Sequence, residues 1–409
     1  MNRLVWLCIG RTGACMGTMA FAGALPVLRH TWHMSAGTAG TIQTAFNLSN
    51  AIALLAAAWL SDSFGAKRVY LWCTWAGTIA LACFALFARS PETALVLIIF
   101  VGLTQGGSYA PALMLAADLS LPSKRGRAMG MMLAAGSFGY LLSVFFSLWA
   151  TQTFGVAAGF GVCAVGVFAG TATGQLSLAG MQPVEHAKHD SGKANASAFR
   201  WRSTFTPVAV CLLIGYIAHC WELLGHYAWT PSLLAAALEP LHLKAVTSAL
   251  IVGAVVHLSG MLATTVIGAL SDRLDRAKVL VFVGAAGAAC SLLMGWSIHW
   301  GPAWTVVIAA IGSFFILGDS GVLSAAMTDE VPPASLGRVM GVRSVLGFGS
   351  GALAPAAFGA AFDATHQWAS AYATLAAGGL AACAAAVFLS RLTARSTPRE
   401  RSLGNSRIR

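Results

Sequence analysis

Residues 118–130 read DLSLPSKRGRAMG, and residues 329–341 read DEVPPASLGRVMG. The two stretches match at Asp118/Asp329, Pro122/Pro333, Gly126/Gly337, Arg127/Arg338, Met129/Met340 and Gly130/Gly341. A second pair returns at almost the same spacing: Leu60-Ser61-Asp62 and Leu270-Ser271-Asp272, followed by Lys67 and Lys278. Two ordered matches at offsets of 210 and 211 residues are not a coincidence of composition. The chain is a tandem of two related halves, an arrangement common among membrane transport folds.

The sequence around these stretches is too apolar for water. Of 409 residues, 57% are hydrophobic and 10% charged, against roughly 25% charged in soluble domains. Apolar runs fall at 4–28, 37–60, 69–88, 94–117, 128–151 and 155–180, then at 206–236, 245–270, 278–298, 302–327, 339–362 and 368–391. Each approaches or exceeds the ~20 residues that cross a bilayer. In lipid an unclosed chain satisfies its backbone only as helix. The expected fold is therefore an all-α membrane protein with twelve transmembrane helices, in two parallel pseudo-symmetric six-helix bundles. Residues 1–181 form the first bundle and 205–391 the second. Between them, 182–204 is a polar cytoplasmic linker, and 392–409 reads as a disordered basic tail. Ala22-Gly23-Ala24 resembles a signal-peptide cleavage site, but the repeat needs a first helix to pair with the seventh, so run 4–28 is read as a spanning helix.

The formal net charge of +11 is read as membrane topology rather than as an attraction for nucleic acid. With the N-terminus inside, the cytoplasmic connections carry Lys67, Arg68, Lys124, Arg125, Arg127, Arg273, Arg276, Lys278 and Arg338, plus the linker and tail cations. The other side has Arg29, Arg89 and Lys244. That asymmetry puts both termini in the cytoplasm of a bacterial-type inner membrane. Nine scattered cysteines form no CxxC pair, so no metal site or disulfide framework is implied. There is no P-loop for an ATP-driven pump and no HExxH. Gly318-Asp319-Ser320-Gly321 mimics a protease string, but it lies inside an apolar helix without a histidine context. No cofactor is called for, and the linker and tail are too short for an appended signalling domain.

The stretch Ala58-Trp59-Leu60-Ser61-Asp62-Ser63-Phe64-Gly65-Ala66-Lys67-Arg68 resembles the loop 2–3 signature of the major facilitator superfamily, matching at Leu60, Asp62, Gly65 and Lys67. The second copy keeps Gly268, Asp272 and Arg273 but has Asp275 where the first has Gly65. The resemblance implies a secondary transporter, functional as a monomer, whose halves rock about a central substrate site. It implies that Asp62 faces the start of the eleventh helix and Asp272 the start of the fifth in the outward-open state. A carboxylate at a helix N-terminus is worth about 0.3–2 kcal/mol. The cytoplasmic gate is then Asp62, Gly65, Lys67, Arg68, Asp272, Arg273, Arg127 and Arg338.

Ionisable residues inside a membrane default to function. The seventh run holds His219, Trp221, Glu222 and His226, with the three ionisable residues on one helical face by their spacing of three and four. A mid-membrane carboxyl such as Glu222 can bind and release a proton as access alternates. Arg11, in the first run, either pairs with Glu222 or binds an anionic substrate. Asp319 is a second proton-site candidate, and Arg343 can reach the cavity. Gln105-Gly106-Gly107 resembles part of an RxxQGxG element, with Gly102 at the arginine position. His257 is read as a satisfied packing histidine. The expected function is proton-coupled transport of a small organic solute, with Arg11, His219 and His226 tilting it toward an organic anion. The alternatives are efflux of a drug or other hydrophobic compound, against which the resemblance itself speaks, since stretch 135–139 lacks the proline of the Gly-Pro element usual in the family's drug antiporters, and a non-transporting sensor.

Overall fold

The computed structural model describes residues 3–121, 124–181 and 205–404. The linker, 182–204, and the last residues of the tail, 405–409, lie outside the described residues. Twelve helices are long and apolar enough to span a bilayer. They are α1 (Arg3–Thr31), α2 (Ala36–Phe64), α3 (Ala66–Phe87), α4 (Pro91–Asp118), α5 (Arg127–Phe154) and α6 (Val156–Ser177) in the first half. The second half has α7 (Pro207–Leu241), α8 (Ala245–Ser271), α9 (Arg276–Trp300), α10 (Pro302–Glu330), α11 (Ser335–Thr365) and α12 (Trp368–Ala394). The last helix continues to Gly404. Residues 392–404, expected in a disordered tail, thus extend α12. Leu392, Ala394, Arg395, Arg399, Glu400 and Arg401 favour helix there, against one breaker, Pro398.

The halves repeat one packing scheme. In the first, α1 packs on α5 and α6, α2 on α4, and α3 on α4 and α6. In the second, α7 packs on α11 and α12, α8 on α10, and α9 on α10 and α12. The halves meet through α2 against α11, α5 against α8, and α1 against α7. Large apolar side chains such as Trp59, Leu86, Leu176 and Phe388 point outward, as a lipid solvent requires. Trp72, Trp296, Trp300 and Trp304 are exposed toward helix ends, where amphipathic rings favour the interface.

Within the first half, α1 and α6 approach until their backbones touch. A Cβ on Gly170 would lie 2.4 Å from the Ala14 amide nitrogen and 2.6 Å from the Gly10 carbonyl oxygen. Lipid provides no hydrophobic force between helices, so close backbone contact of this kind carries their association. Gly170→Val is expected to cost about 1–3 kcal/mol through overpacking. Thermal unfolding in detergent checks it, and an unchanged midpoint would show that α6 can shift freely.

The connections at the basic end show how the copies diverged. Gly65 ends α2 and starts α3 with φ of +84°, a conformation that favours glycine. Its counterpart Asp275 has φ of −61° and instead caps α9 by accepting the Lys278 N–H. One copy makes the turn with its backbone, the other with a side chain.

Candidate functional site

Three spanning helices are interrupted. α1 tightens into 3₁₀ geometry at Cys15–Gly17, α4 breaks at Ser108 ahead of Pro111, and α11 breaks near Ala352 ahead of Pro355. Broken helices are tolerated at membrane depth where they line a protein-buried or watery space, and transporter sites gather at them.

Arg11 lies at the first two breaks. Its side chain is 4% exposed. Nη1 donates to Ser108 Oγ at 2.8 Å, and the guanidinium stands 5.7 Å from the Tyr109 ring centroid. Tyr70, Tyr109 and Tyr140 are within its electrostatic range. Gln105 Oε1 accepts from Thr18 Oγ1 at 2.9 Å, so this side chain ties the break in α1 to that in α4. Glu222, the carboxylate weighed as a partner for Arg11, is bonded elsewhere.

Arg343 answers from the other half. It too is 4% exposed. Nη2 donates to Ser324 Oγ at 2.9 Å, and the guanidinium lies 3.5 Å from the Tyr216 ring centroid. Its Nε has no hydrogen-bond partner. Each arginine thus rests against a tyrosine ring of its own half, Arg11 on Tyr109 and Arg343 on Tyr216. Beside them, His257 of α8 is flanked by Tyr140 of α5 at 6.1 Å and Tyr227 of α7 at 5.3 Å between ring centroids. His257 is 2% exposed and its Nε2 has no partner among the described residues. The expected satisfied packing histidine is thus an unsatisfied one at the junction of the halves. Five of the chain's six tyrosines surround these arginines and His257, and the sequence reading did not single them out as a group.

His219, Glu222 and His226 share a face of α7, as their spacing predicts. That face points into the second half and not toward α1. His219 Nδ1 stands 2.7 Å from Asp319 Oδ1 of α10, at ion-pair distance but off the hydrogen-bond axis. Glu222 Oε1 accepts from Ser291 Oγ of α9 at 2.6 Å. Gly379 of α12 crowds that carboxylate, for a Cβ there would lie 2.7 Å from both oxygens. His226 joins Ser313 Oγ through Nε2 and Thr230 Oγ1 through Nδ1, each at 2.9 Å, and Thr230 reaches the Tyr372 hydroxyl at 3.1 Å. Trp221 turns outward to α12, where Nε1 donates to the Thr374 carbonyl at 2.9 Å. The α7 residues therefore form an internal polar chain through the second bundle, with Arg343 and Tyr216 at one end.

The expected gate residues are spread along the basic end. Asp62, Arg68, Arg127, Arg273 and Arg338 are exposed. Lys67 Nζ donates to the Met181 carbonyl at 3.0 Å, a bond within the first half. Asp272 lies 3.6 Å from Arg276 of its own half, and Arg276 also bonds Asp329. Among the described residues, a hydrogen-bonded contact joins the halves at the opposite end. Asp363, near the end of α11, accepts from the amides of Ala36 and Gly37 at 2.8 and 2.7 Å. These amides open α2, so the carboxylate caps that helix across the interface. Arg29 of α1 stands 5.8 Å from the Trp229 ring and 5.2 Å from the Phe362 ring, both in the second half. Sequence reasoning missed this latch. The available signal was a carboxylate, Asp363, closing an apolar run on the side that also holds Arg29.

Comparison with known proteins places this geometry. A family model described as Major Facilitator Superfamily matches residues 7–355. A curated relative, a probable anion transporter of the chloroplast from Arabidopsis thaliana, is 26% identical over 375 residues, covering 84% of this chain and 70% of that protein. Among solved structures, the D-xylose-proton symporter superposes with a TM-score of 0.75 at 13% identity, covering 94% of this chain and 96% of that one. A bacterial homologue of the human lysosomal transporter Spinster, inward-facing and unoccupied, gives a TM-score of 0.72 at 17% identity and 95% of each chain. The nucleoside transporter NupG gives 0.69 at 14% identity, covering 95% and 99%.

Proposed function

The chain belongs to the Major Facilitator Superfamily, and from that premise we propose that it carries a small organic anion across a membrane by proton-coupled alternating access. It is a twelve-span membrane transporter and not an enzyme. The observation that carries the anion is the pair of buried arginines. Arg11 and Arg343 come from opposite halves, and neither is within ion-pair distance of a carboxylate among the described residues. An unpaired cation at membrane depth is costly, and an anionic substrate offsets that cost in both halves at once. The curated relative's name, a probable anion transporter, supports the same reading. Lysines and arginines at the chain's terminal end assign that end to the cytoplasm. With the halves latched at Asp363, this conformation is the inward-facing one, in a bacterial-type inner membrane, and the unit of transport is the monomer.

The proton sites are Asp319 and Glu222, held by His219 and Ser291. Arg343 joins them to the anion site, since Asp319 lies within its electrostatic range. The substrate is found first by a thermal-shift panel of organic anions, since a ligand of the folded state raises its stability. Uptake into proteoliposomes then follows. In Asp319→Asn and Glu222→Gln, accumulation driven by a pH gradient should fall at least about tenfold while one-for-one substrate exchange persists, as a change of about 1.4 kcal/mol in one step suffices for that. If both variants accumulate substrate like the parent, proton coupling does not run through these carboxyls.

A further inference from the structure

A cavity of about 630 Å³ opens on the end away from the chain termini, between the halves and beside the Asp363 latch. Pro26, Arg29 and His30 of α1 and Gln152 of α5 line it from the first half. Ser232 and Glu239 of α7, His242, and Trp368 line it from the second. None of these residues belongs to the arginine site described above. Ser232 is 5% exposed, and its Oγ has no hydrogen-bond partner although it borders the cavity. Arg29 Nε is likewise buried without a partner. A buried hydroxyl and a guanidinium N–H left unsatisfied at a cavity wall are groups that a ligand completes.

We propose that this vestibule is a second binding site, which takes a small organic anion from the side opposite the chain termini. Its chemistry selects the charge. The donors are the guanidinium of Arg29, the imidazoles of His30 and His242, the Gln152 amide and the Ser232 hydroxyl, against the lining carboxylate Glu239 and Asp363, which is already engaged with the α2 amides beside Arg29. Its walls select the body: Trp368, Pro26 and the apolar side chains of α7 and α8 suit a ring or short hydrocarbon carrying the anionic group. The volume is that of a small-molecule pocket. Both halves supply the site, so it is complete only while this end is closed, and a bound anion has to leave or move inward when the halves part. The site itself stands on its own lining and does not require the central one.

Benzenesulfonate is the probe, with benzenesulfonamide as its uncharged counterpart, titrated by calorimetry into the full chain in lipid nanodiscs. The proposal expects benzenesulfonate to bind and the sulfonamide to bind at least tenfold more weakly. It expects the His30→Gln/His242→Gln double variant to lose at least tenfold in affinity, with its unfolding midpoint kept. It expects Arg11→Gln, which removes the central site, to keep one binding event for the probe, at the vestibule's own affinity. Equal binding of the two probes, full affinity in the histidine variant, or loss of binding in Arg11→Gln would each overturn it. The last result would also show the central site taking anions, so the two assignments fail separately. Ser232→Ala serves as a second variant should the histidine pair not fold, with a weakening expected and an unchanged affinity counting against the site.

Discussion

Replacing Arg11 with glutamine is expected to weaken binding of the transported anion by about 2–5 kcal/mol, the cost of truncating one partner of a buried charge pair. That is on the order of 30-fold to several thousand-fold in affinity. The estimate follows from the surroundings: Arg11 is held by Ser108 and the Tyr109 ring, neither of which supplies charge. Arg343→Gln should cost a similar amount, since Ser324 and the Tyr216 ring hold it in the same manner. Lysine at either position keeps the charge but loses the planar stacking and the forked donors, so both lysine variants should fall between parent and glutamine. Titration with the anion from the thermal-shift panel measures all four. Should Arg11→Gln and Arg343→Gln bind it as tightly as the parent does, the substrate is not anchored by these cations.

The second large effect concerns which end is open. Asp363→Ala is expected to shift the population away from the conformation described here by roughly 30-fold, taking the lost cap as about 2 kcal/mol. Two amides of α2 lose an ionised acceptor at once. Gly37→Ala should push the same way more weakly, because a Cβ there would stand 2.9 Å from Asp363 Oδ2. Spin labels at Ser63 and Leu274, exposed at the basic end of opposite halves, report the shift as a shorter distance. An unmoved distance distribution in Asp363→Ala would mean that the close backbone contacts of α2 with α11, at Gly40 and Gly359, hold this end shut by themselves.

The fold was legible because a bilayer imposes a length. Twelve runs near that length became twelve helices, and the two loop repeats announced that the halves would pack alike. The spacing of His219, Glu222 and His226 likewise predicted one shared face. What one sequence did not contain is the rotation of that face. α7 is apolar nearly all round, so nothing in its pattern distinguishes the side toward α1 from the side toward α9, α10 and α12. Glu222 was therefore weighed against Arg11, while the structure bonds it to Ser291. Tyr109, Tyr140 and Tyr216 were passed over for a related reason. A tyrosine in an apolar run has the look of core or of the interfacial belt, and only the packing of α4, α5 and α7 about one centre sets these three in one region. Asp363 lay at a run's end, where a carboxylate is unremarkable until α2 is seen beneath it.

The two halves share a skeleton and close glycine contacts, but the second adds carboxyls and imidazoles to the ties of its first helix. In the first, α1 and α6 meet backbone to backbone at Gly10, Gly13, Gly170 and Gly174, and no carboxyl or imidazole stands at that contact among the described residues. In the second, α7 is tied to its neighbours through His219, Asp319, Glu222 and His226. A contact made through an imidazole or a carboxyl changes character when a proton arrives, and one made through glycine does not. On the proposed proton coupling, acidity acts directly on the ties of one copy of a duplicated frame.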